Sequence, residues 1–120
     1  ASPPPTAPGQ QVVTDITYIP TREGWLYLSV IIDLFSRCVL GWKTSLCLHA
    51  RLVVDTIDKV RASHPIPPKA VFHSDRGCQY TSATVRQCLL TTGWQQSMSA
   101  KGYCYDPAPA GPSPKAFLLP

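Results

Sequence analysis

Two aspartates lie where the sequence predicts buried strands, and their positions favour chemistry with a metal ion. Asp15 lies within the β-branched stretch VVTDITYI, and Asp75 ends the apolar run AVFHSD. Carboxylates on adjacent strands repel each other, and burial adds a desolvation cost. A divalent cation removes both problems, and Mg²⁺ typically binds one or two carboxylates together with substrate phosphate. Two such ions about 3.5–4 Å apart can activate an attacking hydroxyl and stabilise the leaving oxygen of a phosphodiester.

The residue pattern alone also allows a structural role for each carboxylate. Asp15 can cap a bulge, and Asp75 can accept backbone N–H groups in the glycine turn that follows it. For Asp33, in IIDLFSR, we expect the structural role, in which it organises a turn with Ser36 and Arg37.

Three neighbours of Asp75 bear on the same site. His73 and Ser74 precede it, and either can orient a metal-bound water. We expect instead a neutral histidine that is hydrogen-bonded within the fold. Gly77 is expected to permit the turn after Asp75, because glycine adopts backbone angles that other residues avoid.

The elements that position these residues follow from the hydrophobic pattern. Residues 12–19, 26–33 and 38–45 are rich in β-branched and apolar residues and predict three strands. A turn is predicted over 20–25. Three strands joined by short connections indicate an antiparallel meander.

The period then changes to that of a helix. Residues 49–63 carry apolar side chains on one helical face, and HPIPP at 64–68 ends the helix. A fourth strand is predicted over 70–75. Because a helical crossover precedes it, we expect this strand to run parallel to a neighbour.

A second helix and a fifth strand complete the predicted order. Thr81 or Ser82 can cap the helix, and Gly93 is a plausible C-cap. Residues 94–99 predict a short strand. The full pattern predicts an α/β domain.

Proline marks both ends of the chain. Of the 13 prolines, four lie in SPPPTAP near the start and five lie in the last fourteen residues. We predict a Pro-rich linker over 1–10, a folded domain over 11–106 and a Pro-rich tail over 107–120. A continuous helix is excluded from that tail, because proline disrupts helix interiors.

Composition excludes several classes of protein. The 120 residues allow one domain. The net charge of +4 fits an anionic partner, although the 11 Lys and Arg form no dense block. Five cysteines without a Cys-x-x-Cys pair favour reduced thiols over a disulfide framework or zinc site. The sequence shows no signal peptide, and no apolar run approaches the ~20 residues that span a bilayer.

Three stretches carry a family resemblance: QQVVTDITYIPTREGWLYLSVIIDLFSRCVLGW, VFHSDRGCQYTS and QSMSAKGYCYDPAPA. Over about residues 7–110 the chain resembles the catalytic core of bacterial insertion-sequence transposases of the retroviral-integrase type. The resemblance implies a ribonuclease H-like fold, with a five-stranded mixed sheet flanked by helices. It also implies DNA strand cleavage and transfer that depend on Mg²⁺ or Mn²⁺, and a cytoplasmic protein associated with the nucleoid when bound to DNA.

The resemblance assigns an Asp, Asp, Glu triad. Asp15 and Asp75 match its first two members, and the third falls after thirty-five intervening residues, at Gly111. We expect neither Glu23 nor Asp106 to replace it. From Gly111 onward the sequence departs from the family, so we expect the last helix to be missing or disrupted and catalysis to be lost. A frameshift would explain the departure, and reading the DNA in its neighbouring frames would test it.

DNA is the expected partner. Arg76 and Lys101 are candidate contacts to phosphates, and Tyr80 is a candidate for stacking on bases. Because no helix-turn-helix segment precedes residue 12, we expect recognition of element ends to need other transposase subunits, a separate DNA-binding protein or upstream sequence. The alternative function is a non-catalytic remnant with weak nucleic-acid affinity. A small metal-dependent phosphatase ranks last, because no glycine loop for phosphate is present.

Overall fold

A computed structural model describes residues 3–75 and 77–98 of the chain. The elements, in chain order, are β1 (Gln11–Thr21), β2 (Gly24–Asp33), β3 (Val39–Ser45), α1 (Ala50–Ser63), β4 (Val71–Ser74), α2 (Cys78–Thr81), α3 (Ala83–Thr92) and β5 (Gln95–Met98). The predicted tail and the expected loss of a last helix lie outside the described residues. The prediction of a linker boundary at residue 10 is not tested by these elements.

The five strands form one mixed sheet in the order β3-β2-β1-β4-β5. β1 pairs antiparallel with β2, and β2 pairs antiparallel with β3. β4 pairs parallel with β1, and β5 pairs parallel with β4. The predicted meander and the parallel strand after the helical crossover are confirmed.

The first hairpin has a tighter turn than the sequence predicted. Thr21 pairs directly with Gly24, so the ladder continues past the predicted strand ends. The Thr21 hydroxyl donates to the Gly24 carbonyl at 2.6 Å and accepts from the Glu23 N–H at 3.2 Å. Gly24 has φ +122°, which favours glycine. The local polar contacts therefore stabilise a turn that needs fewer residues than the Pro20–Trp25 composition suggested.

The core lies where α1 and α3 pack on one face of the sheet. Alternate residues of β1 supply Val12 and Ile16, which are buried against apolar residues of both helices. Gly41 of β3 lies close beneath Val60 of α1, where an added Cβ would lie 2.7 Å from Val60 Cγ2. The remaining buried members of the core are Ile31, Val53, Val54, Ile57, Ala70, Phe72, Tyr80, Val85, Leu89 and Trp94.

The ends of α3 follow the predicted capping chemistry. Of the two candidate caps, Ser82 is the N-cap, and its hydroxyl accepts from the Val85 N–H at 3.3 Å. Gly93 ends the helix in the left-handed region with φ +93°. The four-residue helix α2 was not predicted, since one turn is too short to show a period. Within residues 3–75 and 77–98, the helices are too short or too polar to cross a membrane.

Candidate metal centre

The parallel register of β1 and β4 brings Asp15 and Asp75 to neighbouring positions. Val12 pairs with Phe72 and Val13 with His73. Continuing this register by two residues sets Asp15 opposite Asp75, just past the end of β4. Neighbouring strands lie about 4.8 Å apart, and alternate residues point to the same face. The two half-buried carboxylates therefore lie side by side on neighbouring inner strands, at the C-terminal end of β4.

Asp75 is oriented by the turn that follows it. Its Oδ1 accepts a hydrogen bond from the Gly77 N–H at 2.7 Å. The structural role that the sequence allowed for Asp75 is therefore present, and it fixes the carboxylate at the end of β4. A carboxylate that is held in place by one backbone donor retains lone pairs for other partners.

Gly77 makes room for the Asp75 carboxylate, and its backbone angles do not need glycine. Its φ of −58° is open to every residue, contrary to the expectation that glycine permits the turn. An added Cβ would instead lie 3.0 Å from Asp75 Oδ1 and 2.7 Å from Gln79 Nε2. The glycine lets the backbone approach the carboxylate closely.

Asp15 lies inside the ladder of β1 and β2, where it pairs with Val30. Its Oδ1 accepts a hydrogen bond from the N–H of the next residue, Ile16, at 3.0 Å. The buried neighbours Thr14 and Ile16 point to the opposite face, into or beside the core. Packing of those neighbours fixes the strand and thereby the position from which the Asp15 side chain emerges.

His73 is hydrogen-bonded within the fold, as expected. Its Nε2 lies 3.0 Å from Gln11 Oε1. The Gln11 amide nitrogen donates to the Pro3 carbonyl at 2.5 Å, so Oε1 is an acceptor and His73 Nε2 carries the proton. Burial lowers the pKa of His73. Ser74 is buried, and its hydroxyl donates to the Asp75 carbonyl at 3.0 Å.

Tyr80 is buried in the core, which contradicts its expected role of stacking on bases. Its side chain is 1% exposed, so its ring is covered by the core and has no face for a base to stack on. Burial raises the pKa of Tyr80 strongly; interaction with the Thr14 hydroxyl opposes this, and the charges of Asp15 and Asp75 add to the increase.

The Tyr80 hydroxyl makes no hydrogen bond of good geometry within the part of the chain that the structure describes. The Thr14 hydroxyl, which interacts with it, donates its own proton to the Val30 carbonyl at 3.1 Å. A buried donor without a partner costs about 1–3 kcal/mol.

The other described carboxylates do not join this pair. Glu23 lies in the first turn, about 20 Å along β1 from Asp15. Asp33 is bound to its own loop, and Asp55 and Asp58 pair with arginines of α1. Among residues 3–75 and 77–98, the structure brings together no cluster of three or more His, Cys, Asp or Glu residues suited to a metal.

Several predicted site residues lie outside the described part of the chain. These are Arg76, Lys101, Asp106 and Gly111. Of the predicted metal ligands, Asp15 and Asp75 lie within the described residues. Carboxylate oxygens are the ligands that Mg²⁺ prefers.

Residues 5–104 match the model of the integrase core domain. The chain belongs to the integrase core domain family. Its recognition from the three sequence stretches is confirmed. The chain is therefore a domain of the kind that forms the catalytic core of transposases and integrases.

Two transposases are similar to this integrase core domain in sequence. The transposase InsF for insertion sequence IS3A of Escherichia coli (strain K12) is 45% identical over 103 residues, covering 86% of the chain and 36% of the relative. The transposase for insertion sequence element IS904 of Lactococcus lactis is 44% identical, covering 86% and 41%. The chain thus spans about two fifths or less of the length of these curated relatives.

Solved integrase structures share the fold. The HTLV-2 integrase catalytic core domain in complex with magnesium superposes with a TM-score of 0.69 at 15% identity, covering 78% of the chain and 62% of the integrase chain. The simian T-cell lymphotropic virus intasome in complex with PP2A regulatory subunit B56 gamma gives 0.69 at 17% identity, covering 77% and 32%. The predicted ribonuclease H-like fold class is confirmed.

Proposed function

We propose that Asp15 and Asp75 together hold a divalent cation, Mg²⁺ or Mn²⁺, in a domain descended from enzymes that cleave and transfer DNA strands. The observation that carries the proposal is the parallel register of β1 and β4, which sets these two carboxylates opposite each other when it is extended by two residues beyond Val13 and His73. Divalent metal use within the family is supported by the HTLV-2 core, which was solved with magnesium.

The donor set fits such an ion. The candidate ligands are hard oxygen atoms, one of them fixed by the Gly77 N–H. When bound, a divalent cation would neutralise the two carboxylates and supply charge stabilisation for a phosphodiester. Asp15 and Asp75 would hold it from two different strands. His73 is hydrogen-bonded to Gln11, so it supports β4 instead of binding the ion.

The proposal includes loss of catalysis in this chain. The family's third carboxylate corresponds to position 111, which is glycine, and the residues after it depart from the family pattern. Two carboxylates hold one ion less firmly than three. Catalysis demands that charge be stabilised by preorganised groups, so loss of one ligand is expected to cost several kcal/mol in the transition state.

DNA is the proposed partner of this domain. Arg76 and Lys101 stay candidate phosphate contacts by their place in the sequence. Recognition of element ends by other transposase subunits, a separate DNA-binding protein or upstream sequence stays a prediction. Association with the nucleoid stays a prediction.

Manganese titration tests the metal site directly. Paramagnetic Mn²⁺ should broaden backbone NMR signals around Asp15 and Asp75 first, and calorimetry should show saturable binding. Asp75→Asn should abolish that binding, because one ligand charge is removed. Asp55→Asn, which alters an ion pair on α1, is the matched control and should bind as the unaltered protein does. Broadening centred elsewhere, or full binding by Asp75→Asn, would contradict the proposal.

A DNA assay separates the inactive core from its alternatives. With Mg²⁺ or Mn²⁺ and labelled duplex DNA, we expect neither nicking nor strand transfer, and only weak binding that falls with salt. A remnant without any metal site would show the same DNA binding without the Mn²⁺ signal. Metal-dependent nicking that Asp75→Ala abolishes would show instead that the chain is an active enzyme.

A further inference from the structure

Thr17 carries a buried hydroxyl on the face of the sheet that bears Asp15. In the part of the chain that the structure describes, three buried side-chain polar atoms lack a hydrogen bond: Thr17 Oγ1, the Tyr80 hydroxyl and Trp94 Nε1. Tyr80 and Trp94 belong to the core between the sheet and its helices. Thr17 lies two residues along β1 from Asp15, and alternate residues of a strand point to the same face. Of the three atoms, Thr17 Oγ1 is the one that shares a face with a proposed metal ligand.

The ladder of β1 and β2 shows which face Thr17 occupies. Ile16 pairs with Ser29, and Ser29 Oγ lies 2.9 Å from the Thr56 hydroxyl of α1, so this row of the sheet faces the helices. The next row, in which Thr17 pairs with Leu28, faces away from them. The Thr17 side chain therefore belongs to the face opposite the helices, as the Asp15 side chain does.

The fold by itself makes no use of this hydroxyl. Thr17 is 3% exposed, so water does not replace the missing partner. The other two buried threonines of the described residues use their hydroxyls: Thr14 donates to the Val30 carbonyl at 3.1 Å, and Thr56 donates to the Leu52 carbonyl at 2.8 Å. Valine has nearly the same shape as threonine and also favours strands, without burying an unpaired donor.

The Asp15 carboxylate lies within reach of this donor. Positions two residues apart on a strand are separated by about 7 Å, and side chains of a strand lean along its direction. A carboxylate and a hydroxyl that turn toward each other from the two ends of this gap come to hydrogen-bond distance. In the structure Asp15 Oδ1 accepts from the Ile16 N–H at 3.0 Å, so binding of a cation requires the carboxylate to share or exchange that partner.

We propose that Thr17 is a positioning residue whose hydroxyl donates a hydrogen bond to the Asp15 carboxylate when Asp15 and Asp75 hold a divalent cation. The inference rests on the proposed function, since it needs the metal site. One oxygen of the Asp15 carboxylate binds the ion, and the other accepts from Thr17. An outer hydrogen bond of this kind fixes the orientation of a ligand, and its loss typically lowers metal affinity about 10–100-fold.

Two substitutions at this position separate the hydroxyl from the packing. Thr17→Val keeps the shape and removes the hydroxyl, so without metal it should unfold at or above the midpoint temperature of the unaltered chain. Its dissociation constant for Mn²⁺ should be about tenfold higher. Thr17→Ser keeps the hydroxyl and removes a methyl group, so it should unfold at a lower temperature but bind Mn²⁺ as the unaltered chain does. A role in packing alone would make affinity follow stability instead.

The experiment is a calorimetric titration of the full chain with Mn²⁺, with thermal unfolding recorded on the same samples without metal. It compares the unaltered chain with Thr17→Val, Thr17→Ser, Thr44→Val and Asp75→Asn. Thr44 is the matched control, because Leu28 pairs with Thr17 on one side and with Thr44 on the other, and Thr44 is exposed. Thr44→Val should leave the Mn²⁺ affinity unchanged.

A second readout needs no substitution at Thr17. The ¹³Cβ resonance of threonine responds to hydrogen bonding of its hydroxyl. Adding diamagnetic Mg²⁺ should shift the Thr17 ¹³Cβ signal of the unaltered chain and leave that of Thr44 in place, and the shift should vanish in Asp75→Asn. This result supports the proposal even if Thr17→Val fails to fold, and saturable binding without a shift at Thr17 contradicts it.

The outcomes distinguish the two proposals. Unchanged Mn²⁺ affinity in Thr17→Val, or equal losses in Thr17→Val and Thr17→Ser, together with lost affinity in Asp75→Asn, overturns the role of Thr17 and leaves the metal site standing. Absence of saturable binding in the unaltered chain, or full binding by Asp75→Asn, overturns the metal site and the role of Thr17 with it.

Discussion

The carboxylate of Asp33, at the end of β2, accepts a hydrogen bond from the Gly9 N–H at 3.0 Å across the start of β1. The same carboxylate accepts from the Ser36 N–H at 3.2 Å and from the Ser36 hydroxyl at 2.8 Å. Asp33 is 1% exposed, so these donors replace water. The structural role predicted for Asp33 is confirmed, and it extends to the segment before β1, which the sequence did not indicate.

Asp33→Asn should lower the free energy of unfolding by about 2 kcal/mol, because hydrogen bonds to a charged group contribute about 1.5–3 kcal/mol. The amide keeps the shape but replaces one acceptor by a donor that faces Ser36. Urea unfolding followed by circular dichroism measures the change. Asp58→Asn, which removes an exposed ion pair with Arg61, is the control and should change stability by less than about 1 kcal/mol.

The contribution of Asp33 should depend on pH in acid. Burial by itself raises the pKa of Asp33, but hydrogen bonds from Gly9, Ser36 and Phe35 outweigh it, so that pKa is lowered from 3.8. Folding therefore favours the ionised form. The stabilisation is fully present above 3.8 and is lost as pH falls through the lower folded-state value.

Subtraction isolates this effect from other titrating groups. The difference in unfolding free energy between the unaltered chain and Asp33→Asn should be constant from neutral pH to about pH 5 and should shrink below 3.8. A difference that stays constant to pH 2 would show that ionised Asp33 is not the stabilising form.

How far the sequence predicts this fold depends on the length of each signal. The strands and α1 carry several residues of period 2 or 3.6, so their existence and type were predicted correctly. The four-residue helix α2 carries no period, and its burial is decided by contacts with Phe72 and Gln96 that are distant in sequence. Tyr80 was therefore predicted to be accessible for stacking on bases. Its position depends on tertiary packing, which local polarity does not report.

The sequence likewise predicted some features of the candidate site and missed others. Asp15 and Asp75 stand out in the sequence because each interrupts an apolar strand, and the register of β1 and β4 then relates them. The reason for Gly77 was predicted incorrectly, since its backbone angles are ordinary. The steric contact between position 77 and the Asp75 side chain can be seen only in the three-dimensional structure.

Because β3 packs closely on α1, we predict that substitution of Gly41 lowers the stability of the domain. In Gly41→Ala the new Cβ would lie 2.7 Å from Val60 Cγ2, well inside van der Waals contact. Overpacking of this kind typically costs about 1–3 kcal/mol. Thermal or urea unfolding should show the loss.

A double-mutant cycle tests the cause of that loss. In a Val60→Ala background the clashing methyl group is absent, so Gly41→Ala should cost little or nothing more. If Gly41→Ala is equally costly with and without Val60, its effect arises from the backbone of β3 and not from contact with α1.

The close approach of Gly77 to Asp75 gives a prediction about the metal site. Gly77→Ala adds a Cβ 3.0 Å from Asp75 Oδ1, and the carboxylate must shift to accommodate it. Because φ at Gly77 is −58°, alanine adopts the backbone without strain, and stability should change little. Since orientation of a ligating carboxylate governs affinity, Mn²⁺ binding should weaken about tenfold.

Two further variants make this test specific. Gln79→Ala removes the other close contact of the new Cβ, at 2.7 Å, so Gly77→Ala in that background acts through Asp75 alone. Gly93→Ala is the opposite control, because φ +93° strains alanine while its Cβ meets nothing within 4 Å. It should lower stability by about 1 kcal/mol and leave Mn²⁺ affinity unchanged. Equal affinity losses at both glycines would indicate general destabilisation, and the steric link between Gly77 and the Asp75 carboxylate would then be rejected.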